Sequence, residues 1–374
     1  MNKTQITTKN STIKNTISTS TVIPISKKYR DLCWTPLDRN NGCLFACCPV
    51  FYYEALKKLF YDDPHYEHST LLKGKIFAKW KMFFTKHHIV TYFKWPKEIS
   101  KLPYSYALMK NKDITKSRPI VSYSPHPLKQ LLNFTGRSLM FLLLSNTSLN
   151  HFTLPRTHDF INKHSAIVQE NITHLQDTQT SYKILSRSYD VKNMYTELPH
   201  DKIIEALTWL IDQAKLTKYG RHNRIHLQKE GRNGVTFQRS GGSFSITFQQ
   251  LITFAKFDLD NVFFTLGSTT LRQTIGIPMG SPLSPALAII ICAYAEHKFL
   301  TSISSYKYFT AVRYMDDLHS CIIITPNTEE QTQKCTDIIK TMENIYPDTF
   351  VLEKTGEGST DFLESTITYT DTTL

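Results

Sequence analysis

Two stretches decide the fold: YKILSRSYDV at residues 182–191 and YFTAVRYMDDLHSCIII at residues 308–324. Both are rich in β-branched and aromatic residues, the composition of strands packed in a sheet. The first is a strand ending in an acid, Asp190. The second reads as two strands joined at a tight acidic turn, Tyr314-Met315-Asp316-Asp317. A carboxylate at a strand end faces the cleft that forms there, and an Asp-Asp pair on a turn can aim one carboxylate inward with the other in support. Hard cations such as Mg²⁺ take oxygen ligands and keep waters and phosphates in their shell. Two of them about 4 Å apart can activate an attacking oxygen and stabilise a leaving one. Taken alone, each aspartate is more often a turn residue or a surface charge. Their joint placement is what points to phosphoryl-transfer chemistry.

Working outward, residues 128–144 (LKQLLNFTGRSLMFLLL) predict an apolar helix, and residues 200–215 carry apolar side chains at helical spacing. The Gly- and Arg-rich stretch 220–250, with Gly241-Gly242, predicts a loop and a hairpin. A further helix is expected from about Pro285 to Leu300. Residues 1–26 are polar and low in complexity and are expected to be disordered. From residue 27 to 100 aromatic and basic residues interleave, among them Tyr52, Tyr53, Phe60, Trp80, Phe83, Phe84, Tyr92, Phe93 and Trp95. Such a mixture can stack bases while lysines hold phosphates; it can equally be a helical core under a lysine-coated surface.

The 374 residues carry 44 Lys and Arg against 32 Asp and Glu, a net charge of +12. Residues 1–118 hold 21 basic and 8 acidic side chains, and the other 256 hold 23 and 24. A basic block joined to a near-neutral one points to a polyanionic partner or to a solubilising surface. Seven cysteines, four of them near the N-terminus (Cys33, Cys43, Cys47, Cys48), do not form a secreted disulfide framework. Core thiols account for them better than a zinc site, since paired C-x-x-C knuckles are missing. There is no apolar leader and no run long enough to span a bilayer, so an intracellular, nuclear or cytoplasmic location without a membrane is expected.

Tyr314-Met315-Asp316-Asp317 resembles the Y-x-D-D signature of reverse transcriptases. Asp190-Val191-Lys192-Asn193-Met194-Tyr195 resembles their first catalytic motif. Residues 276–285 (GIPMGSPLSP) are similar to the glycine-containing motif before the palm helix, and residues 116–122 (KSRPIVS) to the fingers motif. The order is the family's. Together RPIVS, DVKNMYTELPH and PMGSPLSP look most like Penelope-like element reverse transcriptases, relatives of telomerase, over residues 100–370.

The resemblance implies an α+β right-hand polymerase with fingers and palm. The palm would be an antiparallel or mixed sheet backed by helices, behind a basic helical N-terminal extension (27–100), with the reverse transcriptase domain over 101–374. The thumb would be short or missing, and no endonuclease domain is recognisable. It further implies an RNA-directed DNA polymerase that extends a primer on an RNA or DNA template with dNTPs.

Asp190, Asp316 and Asp317 would be catalytic and would hold two Mg²⁺ ions, with Mn²⁺ a possible substitute and the Val191 carbonyl a further ligand. Lys112, Lys116 and Arg118 would meet the triphosphate, Tyr195 would be the steric gate against a 2′-OH, and Met279 and Gly280 would contact the nascent pair. Lys354, in VLEKTGEG, would protonate pyrophosphate. Ser281, Pro282, Tyr314, Met315, Phe362 and Leu363 would line primer and template, Phe362-Leu363-Glu364 matching the family's FLD-type element with Glu in place of Asp. The competing reading is a catalytically inactive nucleic-acid-binding protein of the same fold.

Overall fold

The structure, a computed structural model, describes residues 19–38, 44–89, 93–96, 101–217, 220–227, 234–237, 244–304, 306–325, 327–363 and 365–369. The stretch 1–18 and Cys43, Tyr92, Gly241, Gly242 and Glu364 lie outside the described residues. In chain order the elements begin with α1 (Thr19–Lys28), β1 (Cys33–Asp38), β2 (Leu44–Cys47), α2 (Pro49–Leu56), β3 (Tyr66–His68) and α3 (Lys73–Lys86). Then come β4 (Tyr104–Lys110), β5 (Asp113–Ser122), α4 (Lys129–Ser145), α5 (Ala166–Asp177), β6 (Lys183–Lys192) and α6 (His200–Leu216). They are followed by β7 (Arg224–Leu227), β8 (Val235–Thr236), β9 (Phe244–Thr247), α7 (Phe248–Asp260), β10 (Phe263–Leu266), β11 (Thr269–Gln273) and α8 (Ser284–Ser302). The last are β12 (Phe309–Tyr314), β13 (Asp317–Ile324), α9 (Glu329–Met342), β14 (Val351–Glu357), β15 (Thr360–Phe362) and β16 (Ser365–Ile367).

The chain packs as two compact units, Met1–Leu59 with Ala107–Arg118, and Phe60–Tyr106 with Pro119–Leu374. In the first unit β1 pairs antiparallel with β2, and its end pairs parallel with Met109 and Lys110 of β4. Thr35 donates its hydroxyl to the Ala107 carbonyl at 2.7 Å, fixing that register. Helix α1 covers the end of the tail whose composition predicts disorder, and the extension carries strands as well as helices. Cys33 and Cys47 are ladder partners, and Cys33, Cys47 and Cys48 are free thiols.

The second unit is built on an antiparallel sheet in the order β12-β13-β6-β14. Period-2 alternation along β6 and β13 sends Tyr189 and Leu318 to one face, where Phe299 of α8 and Met342 of α9 pack on them. Val168, Ile172 and Leu175 of α5 cover Cys321 and Ile323 on the same sheet. Helix α8 is apolar nearly all round, as a helix in a large core must be, and its one buried acid is Glu296. Among the described residues no helix is long and apolar enough to cross a membrane.

The aromatic stretch resolves in favour of core packing on α3. Ile76, Trp80, Phe83 and Phe84 recur at helical spacing and are buried, while Lys73, Lys75, Lys79 and Lys81 are exposed. Each such side chain contributes roughly 1.5–3 kcal/mol by leaving water. Trp80 packs tilted against His126 (4.3 Å between centroids), and His126 stacks on Tyr123 (4.8 Å). The Tyr123 hydroxyl donates to Asp258 Oδ1 at 3.3 Å, and Ser281 donates to Asp258 Oδ2 at 3.4 Å. Asp258, on α7, thus ties the strand of the RPIVS motif to the PMGSPLSP loop. Asp258 was not among the expected residues.

Burial pushes the Asp258 carboxyl up to about 7, although the two hydroxyl donors pull it down. A carboxyl whose folded value is raised adds stability below its unfolded value near 3.8 and loses it as pH rises toward 7. The expected loss is at most about 4 kcal/mol. Denaturant unfolding at pH 5 and pH 8 checks this: the wild type should lose stability between them, and Asp258→Asn should lose distinctly less. Equal pH dependence in the two proteins would contradict it.

Candidate active site

The strand ends of the central sheet bring the acids together. Asp190 on β6 is the direct Cα partner of Asp317 on β13, and the Val191 amide donates to the Asp316 carbonyl at 2.8 Å. Directly opposed residues of an antiparallel pair share a face with Cβ atoms ~5 Å apart. Tyr314 pairs with Asp317, so Met315 and Asp316 alone make the hairpin turn. Met315 adopts φ 55°, the positive value that two-residue hairpins favour and that a methionine rarely takes. All four turn residues are half-buried.

The same rung continues onto β14, where Glu353 is the partner of Asp190 on its other side. Three carboxylates on one rung repel one another. Lys192, two residues on and so on the same face, offsets this. Its ammonium is bonded to Asp190 and lies 3.1 Å from Glu353. Partial burial works against the ammonium, but hydrogen bonds from it to Asp190 and Glu353 raise its pKa overall. Lys192 is 44% exposed and Asp190 29%, a setting in which ion pairs contribute under about 1 kcal/mol. The pair is weak enough for a competing cation to displace. Glu353 was not among the expected residues, because its place on the rung depends on β14 pairing with β6.

The first motif's tail folds against the glycine loop. Asn193 takes φ 62° and turns the chain off β6. The half-buried Tyr195 accepts through its carbonyl from the Ile277 amide at 2.8 Å, and the Gly276 amide donates to Leu198 at 3.0 Å. Gly276 has φ 75°, and a Cβ there would lie 2.3 Å from the Thr196 carbonyl oxygen. On the other side of the loop the Val121 amide donates to the Met279 carbonyl at 3.0 Å. Gly280 has φ 135°, and a Cβ there would lie 2.3 Å from the Val121 carbonyl oxygen. What each glycine admits is the chain's own backbone.

Other expected residues are placed differently. Lys354 is the partner of Tyr189, on the face away from the acids, with its ammonium 2.7 Å from Glu357. Ser281 is buried and bonded to Asp258, and Phe362 is buried against Leu154 and Val312, so neither side chain is free to meet a nucleic acid. Leu363 packs on that same cluster, while Pro282 and Met279 are half-buried. Lys112, Lys116 and Arg118 belong to the first unit. There Arg118 lies 3.0 Å from Asp38, Lys116 lies 3.6 Å from Asp113, and Lys112 is exposed.

Among the described residues no group of three His, Cys, Asp or Glu side chains converges closely enough to hold a metal ion. The donor chemistry nonetheless suits a hard divalent cation: carboxylate oxygens share one rung, and a positive charge, the Lys192 ammonium, is already bonded to Asp190.

Gly276→Ala and Gly280→Ala should each cost about 2 kcal/mol or more, from forced positive φ and backbone overlap. Gly74→Ala, with no atom within 4 Å of the added methyl, should be neutral or stabilising by up to ~1 kcal/mol. Denaturant midpoints of the three variants check the contrast.

No family model and no curated protein matches the sequence. Solved structures do. Apo telomerase from Candida tropicalis truncated from its C-terminal domain aligns with TM-score 0.53 and 13% identity over 84% of this chain and 56% of that one. Telomerase from Candida albicans in complex with a TWJ fragment of telomeric RNA aligns with TM-score 0.56 and 12% identity over 93% of this chain and 54% of that one. The chain spans about half the length of these structures. At this identity the likeness concerns architecture: the protein has the right-hand, reverse-transcriptase-like polymerase fold of the telomerases.

Proposed function

We propose that the protein is a template-directed nucleotidyltransferase, an RNA-directed DNA polymerase of the Penelope-like kind that extends a primer 3′-OH with dNTPs on an RNA or DNA template. The observation that carries this is the register placing Asp190 opposite Asp317 with Asp316 on the adjoining turn. Asp190, Asp316 and Asp317 would hold two Mg²⁺ or Mn²⁺ ions, with the Val191 carbonyl beside them. Ions held by these residues would supply a lowered pKa at the primer hydroxyl and charge neutralisation at the leaving pyrophosphate.

The chain's own groups do the rest. Release of Lys192 from Asp190 leaves its ammonium on Glu353, so the rung keeps a neutralising charge while Asp190 takes a new partner. Tyr195, whose carbonyl accepts from the Ile277 amide of the glycine loop, would be the steric gate against a 2′-OH. Met279 and Gly280 offer backbone to the nascent pair, and Tyr314, Met315 and Pro282 offer partly exposed surface to the primer. Within the first unit, Arg118, Lys112 and Lys116 would supply cations for phosphate groups, the Arg118 guanidinium being able to bind a phosphate in place of the Asp38 carboxylate with the same forked geometry. Lys354 pairs with Glu357, and Ser281 and Phe362 are buried, so this reading rests on none of the three. The basic first third would hold the nucleic acid's phosphates, and the protein would act inside the cell.

A second reading, binding without turnover, draws on the Lys192–Asp190 bond and the lack of a converged three-acid group among the described residues. Primer extension with Mg²⁺ separates the two. Incorporation by the wild type on RNA template, reduced at least about 10³-fold by Asp316→Ala, supports the polymerase. Tight primer–template binding without incorporation supports the binding protein.

A further inference from the structure

Beneath the acidic turn lies a buried ion pair that no catalytic role has yet absorbed. Arg313, the residue before Tyr314, and Glu296 of α8 are both fully buried, with Nε 2.5 Å from Oε1. Burial works against the guanidinium's charge, but the Glu296 carboxylate beside it pushes its pKa further up. A charge held this firmly in a core is costly unless its hydrogen bonds are made. Here they are: Nη2 donates to Thr153 Oγ1 at 3.0 Å and to the Ile289 carbonyl at 3.4 Å. Nη1 donates to the Met315 carbonyl at 2.9 Å.

That last bond matters for the site. Met315 is the strained residue of the two-residue turn, and the next carbonyl along, that of Asp316, receives the Val191 amide. Glu296 anchors the guanidinium from below. Its Oε2 accepts from the Phe152 amide at 2.9 Å, and its Oε1 accepts from the Tyr346 hydroxyl at 2.9 Å. The Arg313 backbone is stitched to the same segment, its amide to the Phe152 carbonyl at 2.6 Å and its carbonyl to the Leu154 amide at 2.8 Å. A surface turn would sample several conformations. This one is pinned by a fork whose other tines are fixed in helix α8 and in the 152–154 segment.

We propose that Arg313 is a positioning residue: its guanidinium, immobilised by Glu296, clamps the Met315 carbonyl and so sets the turn that carries Asp316 against Val191. The catalytic half of this inference rests on the polymerase reading; the conformational half does not.

The test uses Arg313→Met/Glu296→Gln in the full chain. The Gln oxygen can still accept from the Phe152 amide and its NH2 can donate to the Tyr346 hydroxyl oxygen, so no buried charge is left and the guanidinium's bonds are the ones lost. Hydrogen exchange is read at the Val191 amide, with α6 amides as an internal reference. Exchange at Val191 should rise about tenfold or more while α6 stays as in the wild type. The Mg²⁺ concentration for half-maximal primer extension should rise with it, and Arg313→Lys, keeping the charge on a single nitrogen without the guanidinium fork, should fall between. Unchanged protection at Val191 overturns the clamp. If the double variant does not fold, the same exchange measurement on Arg313→Lys decides: wild-type protection overturns the clamp, and increased exchange supports it. A wild type that extends no primer removes the polymerase reading and leaves the exchange result to judge the clamp by itself.

Discussion

Everything at the candidate site hangs on one antiparallel register. Ile324 lies opposite Lys183, and the ladder then runs without interruption to Asp317 opposite Asp190. A slip of one residue would turn Asp190 to the helix-packed face and drive Tyr189 into the cleft. The register is protected because the helix-facing residues are core residues. Tyr189 and Leu318 are packed by Phe299 and Met342, and Ile322 and Ile324 by Cys335 and Ile339. The same hydrophobic burial that folds the sheet therefore fixes which carboxylates meet.

Polar groups placed in the core carry that precision outward. Asp258 joins Tyr123 to Ser281, and Glu296 joins Arg313, Tyr346 and the 152 backbone. Each is a buried acid satisfied by donors from distant parts of the sequence, so each links segments that packing alone would let slide. The two glycines of the 276–280 loop do the complementary work, letting backbone from 195–196 and from 121 approach where a side chain would intrude.

Much of this was readable from residue order. The strand carrying Asp190, the hairpin around Asp316 and the helix near 200–216 follow from patterning, while the helices near 129–145 and 284–302 follow from apolar runs, the latter with Pro282 and Pro285 marking its start. What escaped reading depends on tertiary partners. Glu353 lies on the acid rung only because β14 pairs with β6 in one register, and Lys354 falls on the far face for the same reason. Ser281 and Phe362 sit in motifs that resemble nucleic-acid contacts, but their side chains fill the core. Helix α7 and the β10–β11 hairpin were not anticipated. Arg313 looked like any basic residue beside an aromatic, and nothing local signals a partner seventeen residues away on α8.

The central claim is that the Asp190–Asp317 rung, with Asp316, is a divalent-cation centre whose resting counter-ion is Lys192. The most direct measurement is Mn²⁺ binding followed by electron paramagnetic resonance, on the wild type and on Asp190→Asn, with primer–template and a non-extendable nucleotide present. The account predicts saturable binding that weakens at least about tenfold in the variant. Equal Mn²⁺ affinity in the two proteins would contradict it.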